Sequence, residues 1–262
     1  MNPELLDIRR KALSPTQAIN DAWSSIGGDY WFYFGISIVA WLIAMASGMI
    51  PGLSIIIGPI VTGPLFAGVF AVFLAKADGE KKEFGAMFDG FKRFQPTVII
   101  GLILSIPGIL LQIYQLVALV SDITGMLNPD TREAVLQQSA FPPALIGLYV
   151  FMIVFGLTVG LLLFFSYYLI MDRGMGAVDA IKASSKGVIG NFGRLIVLIF
   201  LEGLLMLAGV LACGVGLLFV APVLYLANAN AYRQVFPGSN LPARDPNPPD
   251  PNVYGDSFGQ IA

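Results

Sequence analysis

In a chain this apolar, the residues able to do chemistry are the ones that water would normally hold, and the foremost is Glu202. It lies about eight residues into an apolar segment, hence roughly 12 Å deep at 1.5 Å per helical residue. Ionisable groups at such depth are costly and are functional candidates by default. Asn228 reaches a similar depth on the following segment from the opposite direction, and a bond from Glu202 to Asn228 or Asn230 would satisfy the carboxyl. Two readings follow: a carboxyl that locks two helices together, or a proton or cation site. No Lys, Arg or His stands at matching depth, which makes a relay the weaker of the two.

Gln112 and Gln115 are three residues apart, so one helical face carries both, either as interhelical glue or as the lining of a cavity. Gly156 and Gly160 form a GxxxG pair, while Ala40, Ala44 and Gly48 repeat the small-residue spacing. Such stripes let helices approach closely, within a bundle or toward a partner chain. Pro59, Pro64, Pro107 and Pro222 interrupt apolar segments, where each removes a backbone donor. Broken helices at paired positions mark binding sites in transporters; in a packed bundle they only shape it.

Missing residues exclude several chemistries. The 262 residues include no histidine, so there is no Ser–His dyad and no His-ligated metalloprotease site. Cys213 is the only cysteine, so no intrachain disulfide forms, and no Gly-x-x-x-x-Gly-Lys loop is present for a nucleotide. Asp172 and Asp179, seven apart after Met171, are expected to cap and orient an interfacial helix rather than to act as a catalytic pair. No catalytic, cofactor-binding or metal site is expected.

The elements that must position these residues are membrane helices. Hydrophobic residues make up 56% of the chain and charged ones 12%, against about 25% charged in a soluble domain. The apolar blocks run about 20 residues, enough to cross a bilayer core. They span approximately Trp31–Ile50, Leu53–Ala75, Thr97–Val120, Ala144–Met171, Arg194–Cys213 and Val215–Phe236. The fold expected is all-α: a polytopic membrane bundle of six transmembrane helices with interfacial amphipathic helices. Residues 1–30 form a cytoplasmic N-terminal segment with an interfacial helix, 31–236 the membrane domain, and 237–262 a Pro-rich cytoplasmic tail, extended and either solvated or a docking strand.

Of the 15 basic residues, all but Arg132 fall on one side of these segments, which identifies that side as the cytoplasm and makes both termini cytoplasmic. Trp31, Tyr33, Tyr167, Tyr168 and Tyr232 are then expected at its headgroup layer. The external corners fall at Pro51-Gly52 and Gly214, and the outer loop, 121–143, holds a short helix around Thr131–Gln138. Phe84, Phe88, Phe91 and Phe94 recur at helical spacing beside Met87, as in an amphipathic helix that lies in the interface or packs its Phe stripe on the bundle. With a net charge of −2 and no basic stripe, nucleic acid is not a partner.

The chain also resembles itself. Ala18-Ile19 matches Ala180-Ile181, and Gly28-Asp29-Tyr30 matches Gly190-Asn191-Phe192, each followed by a helix, a corner, and a second helix with a proline, Pro59 or Pro222. Both units start on the same side, as in a parallel internal repeat of two halves.

Three stretches carry a wider resemblance: the Ala-Ile entry with Gly28-Asp29-Tyr30, the run Met87-Phe88-Asp89-Gly90-Phe91-Lys92, and the ending Pro222 to Ala231-Tyr232-Arg233. Over roughly residues 15–236 the chain resembles uncharacterised bacterial six-helix integral membrane proteins, and is similar to the membrane domain fused to some glycerophosphodiester phosphodiesterases. The resemblance implies an inner-membrane location and carries over no catalytic residue. The function expected is that of a non-enzymatic scaffold, assembly factor or accessory subunit, with the lipid bilayer and a membrane-protein partner or second copy as its contacts. The alternative is a transporter or channel for a small solute, ion or lipid that uses Glu202 and its polar neighbours.

Overall fold

The computed structural model describes residues 6–49, 54–128, 130, 133, 143–212 and 214–238. The corner at Pro51-Gly52, the expected outer-loop helix, Arg132, Cys213 and the Pro-rich tail beyond Gly238 lie outside the described residues. The described chain is helical throughout: α1 Pro15–Ile26, α2 Tyr30–Gly48, α3 Ser54–Ala77, a 3-10 helix Phe84–Arg93, α4 Phe94–Leu127, α5 Pro143–Phe155 leading into a π turn Gly156–Gly160, α6 Ser166–Arg173, α7 Ala177–Gly190, α8 Phe192–Leu211 and α9 Val215–Val235. Five helical stretches are long and apolar enough to cross a membrane, with Leu145–Gly160 a shorter sixth, so the protein is an all-α multi-pass membrane bundle.

The fourth segment is not the continuous helix expected over Ala144–Met171. It breaks after the π turn, before α6. Two glycines weaken the helix there, and Ser184 of α7 takes over the backbone bonding. Its hydroxyl donates to the Leu162 carbonyl at 2.7 Å and accepts from the Phe165 amide at 3.1 Å. Gly156 and Gly160, expected as a helix-contact pair, face open space.

The expected repeat of two units is part of a pattern of three. Each unit is a short helix at the charged end followed by an outer and an inner helix: α1-α2-α3, then the 3-10 helix with α4 and the α5–α6 segment, then α7-α8-α9. The short helices pass the ring on. The 3-10 helix packs on α3, α7 on α6, and α1 on α9. Corners repeat the logic, each gripping the segment that enters the next unit. Asp29 binds Lys81 at 2.6 Å and Lys76 at 3.2 Å, the Arg93 guanidinium lies against Gly174, and Asn191 grips residues 9–13.

The Phe-rich stretch is a 3-10 helix, not an α-helix. With three residues per turn, residues spaced by three share one row, and Phe88, Phe91 and Phe94 form an exposed row while Met87 and Gly90 form the buried one. The Phe row faces away from the bundle. Backbone contact drives this choice, since a Cβ on Gly90 would sit 1.8 Å from the Pro64 carbonyl oxygen and one on Gly68 2.0 Å from that of Met87.

Of the aromatic residues expected at the headgroup layer, Tyr33, Tyr167, Tyr168 and Tyr232 point into the bundle and are buried there, and Trp31 is exposed. They build an aromatic column between the inner helices, in which Tyr168 stacks on Phe70 and on Tyr232, each at 5.2 Å. Burying three tyrosines is tolerable where their hydroxyls find partners. Tyr232 donates to Asp172 at 2.7 Å and Tyr168 to the Tyr225 carbonyl at 3.4 Å, whereas the Tyr33 hydroxyl has no partner.

Candidate functional site

Three polar groupings stand out. They differ in how completely their atoms are paired. The first, at the charged end, joins the three inner helices. Arg233 in the last turn of α9 donates Nε and Nη2 to Asp78, just past α3, both at 2.7 Å. The same guanidinium donates Nη1 and Nη2 to Asp172 of α6 at 2.9 and 2.7 Å. Arg173 adds an ion pair to Asp172 at 2.8 Å without hydrogen-bond alignment, and its Nη2 donates to the Pro237 carbonyl. Burial pushes the Asp172 carboxyl up, but the Arg233 hydrogen bonds and charge, with Tyr232 and Arg173, outweigh it and hold the group below its usual value of 3.8. Asp172 is therefore a helix-joining anion, not the cap expected; Asp179 instead sits in the first turn of α7, where a negative charge suits the helix dipole.

Sequence reasoning missed this cluster. The available signal was that Asp78, Asp172 and Arg233 each fall at the end of an inner segment, two negative and one positive.

Beside it, the N-terminal segment is strapped to the last unit. Asn191 Oδ1 accepts from the amides of Ala12 and Leu13 at 2.9 and 3.2 Å, and its Nδ2 donates to the carbonyls of Arg9 and Gly187 at 2.8 and 3.0 Å. Arg194 donates to the carbonyls of Lys11 and Leu13. Asn230, one of the expected partners of Glu202, belongs to this strap and donates to the Ala18 carbonyl at 3.2 Å.

The second grouping is a cleft of about 240 Å³ between α2, α3 and α4, lined by Ser47, Ser54, Thr62, Ser105 and Gln112 among small residues. Ser54 donates to Gln112 Oε1 at 2.7 Å. The other hydroxyls bond carbonyls of their own helices. Gln112 thus works as interhelical glue, while Gln115, expected on the same face, is exposed.

The third is Glu202. It lies on the inward face of α8 with Leu195, Leu198 and Gly209, only 9% exposed. Asn228 of α9 is its hydrogen-bonding neighbour, and Tyr168 of α6 lies nearby. Yet one oxygen of each member, Glu202 Oε1 and Asn228 Oδ1, is buried without any partner. Of the five expected polar residues, the structure brings together Glu202 and Asn228 and sends Asn230, Gln112 and Gln115 elsewhere. No family model, curated protein or solved structure matches the chain.

Proposed function

We propose that this protein is a non-enzymatic accessory or scaffold subunit of a complex in the bacterial inner membrane, with both termini and the charged end in the cytoplasm. The observation that supports this most is the dispersal of its membrane polar groups. Gln112 is spent on Ser54 between α3 and α4, whereas Glu202 and Asn228 pair between α8 and α9, and an aromatic column rather than a polar path fills the centre between α3, α6 and α9. Transport needs a hydrated route with alternating access; a scaffold needs a packed bundle with contact surfaces. Such surfaces are plentiful, from the outward Phe row to the far half of α4, where Leu116, Val117, Leu119 and Val120 are exposed.

The test is purification in gentle detergent followed by native mass measurement. A membrane protein retained in fixed stoichiometry is the expected result. The rival reading, a carrier for a small cation or solute, draws on the broken fourth segment and the half-paired Glu202. It predicts instead a lone chain that supports Glu202-dependent flux in proteoliposomes.

A further inference from the structure

The ring passes from unit to unit at three corners, and two of them are paired within the protein. At the first, Asp29 is met by Lys81 and Lys76; at the last, Asn191 and Arg194 grip the backbone of residues 9–13. At the middle corner Arg93 ends the 3-10 helix with its guanidinium against Gly174. Among the described residues that guanidinium has no acceptor, although it is a permanently charged group made only of donors.

Beside Arg93, the starts of α4 and α7 part around a cleft of about 280 Å³, lined by Gln95, Pro96 and Ile99 on one wall and by residues 176–179 on the other. The lining is mainly apolar, but it includes Asp179, whose carboxylate pairs with no cation among the described residues. Ile99, Leu102 and Ile106 are exposed on α4. Spaced by three and four, they share one face and lead from the cleft into the apolar span. One opening at the charged end thus presents a cation and an anion that do not satisfy each other, above an apolar track.

We propose that this cleft binds a phosphatidylethanolamine molecule, with its phosphate on the Arg93 guanidinium, its ammonium on the Asp179 carboxylate and an acyl chain along Ile99, Leu102 and Ile106. Charge complementarity selects this occupant. The planar fork of an arginine suits a phosphate, to which it donates bidentately. An ethanolamine ammonium has N–H donors for a carboxylate, whereas the trimethylammonium of phosphatidylcholine has none. Phosphatidylglycerol carries no cation and would leave Asp179 facing a second negative charge. Free phosphate would leave the apolar walls uncovered. The site is independent of the subunit reading, since a lone chain would hold the lipid equally well.

The test is native mass spectrometry of the full chain, delipidated in detergent and titrated with phosphatidylethanolamine, phosphatidylcholine or phosphatidylglycerol of identical acyl chains. Phosphatidylethanolamine should bind in preference to either of the others. Arg93→Gln should weaken its binding about tenfold, the scale of one charge-assisted hydrogen bond. Asp179→Asn should bring phosphatidylethanolamine down to the level of phosphatidylcholine and leave phosphatidylcholine unchanged, whereas structural damage would lower all of the lipids together. Lys92→Gln, whose ammonium is already paired with Asp89, should change nothing. If Arg93→Gln fails to accumulate, Ile99→Trp, at an exposed position of the cleft wall, serves in its place and should exclude the lipid by filling the groove. Equal binding of the lipids, or a preference that survives these substitutions, overturns the proposal. Tighter binding of phosphatidylglycerol also overturns it, and would mean that Lys182 and Lys186, exposed further along α7, draw anionic lipid without a seat for the ammonium.

Discussion

The charged end and the far half of this bundle are built from one chain by opposite rules. At the charged end, Arg233 satisfies two carboxylates from two other helices, Asn191 uses both its oxygen and its nitrogen, and the aromatic column closes the centre. In the far half, none of residues 145–155 of α5 is buried, and α8 is exposed along Leu204, Leu207 and Val210. Stability is concentrated where the chain is charged. The apolar half is left free to meet lipid or protein, so damage to the two regions should register in different measurements.

Removal of Arg233 should do the most damage to the charged end. Arg233→Ala would take from Asp78 its guanidinium and leave Asp172 with Arg173 and Tyr232 alone, both carboxylates being mostly buried, and loss of one partner from a buried ion network costs about 3–5 kcal/mol. Denaturant or thermal unfolding in nanodiscs should show a loss near the lower figure, because some water reaches the cluster. A loss below about 1 kcal/mol, the range of surface pairs, would mean that the three inner helices are held by packing alone.

Backbone contact between the first two units should matter almost as much. Gly90→Ala places a methyl against the Pro64 carbonyl, and overpacking of this kind costs about 1–3 kcal/mol. Gly203→Ala is the matched control, since that glycine meets nothing within 4 Å inside α8 and alanine favours a helix by about 1 kcal/mol. Opposite signs for the two substitutions in one unfolding assay are the expected outcome; the same sign would show that the 3-10 helix can shift away at little expense.

These regions were unequally legible in the sequence. The spans, their one-sided basic residues and the first and last repeat units follow from hydropathy blocks, charge and a few Gly and aromatic matches. The middle unit was hidden, because its short helix runs at three residues per turn and its inner helix is interrupted. Phe88, Phe91 and Phe94 carried that period, but a spacing of three also suits an α-helix, and only the Gly68–Gly90 contact decides between them. Burial of Tyr33, Tyr168 and Tyr232 was equally hidden, since an amphipathic ring near a membrane edge satisfies the same composition rule whether it points outward or inward. For the candidate site, depth alone found Glu202 and Asn228. Pairing of Gln112 with Ser54 and the diversion of Asn230 to Ala18 depend on which helices are neighbours, and that is a property of the ring.

Asp172 makes the Arg233 cluster sensitive to acid. Asp172 has a folded pKa below its ordinary value of 3.8, so its contribution is fully present above that value and is lost as pH falls through the folded pKa beneath it. Unfolding measured from pH 7 downward should be flat until about pH 4 and then weaken. Asp172→Asn, unable to titrate, should start less stable and lose less over the same acid range; an identical slope would place the acid sensitivity elsewhere.

The smallest expected effect belongs to the far half. Ser54→Ala removes the hydroxyl that Gln112 accepts from, and interhelical hydrogen bonds in membranes average about 0.6 kcal/mol because the alternatives also find partners. Gln112 stands in an open cleft, so its freed oxygen can turn to another donor or to water. Unfolding should therefore change by no more than about 0.6 kcal/mol, and the proportion of any co-purifying partner should not change. A loss several times larger would mean that the far half is locked by its own hydrogen bonds. It would then match the charged end, and the division between a region that holds the fold and a region that offers surface would dissolve.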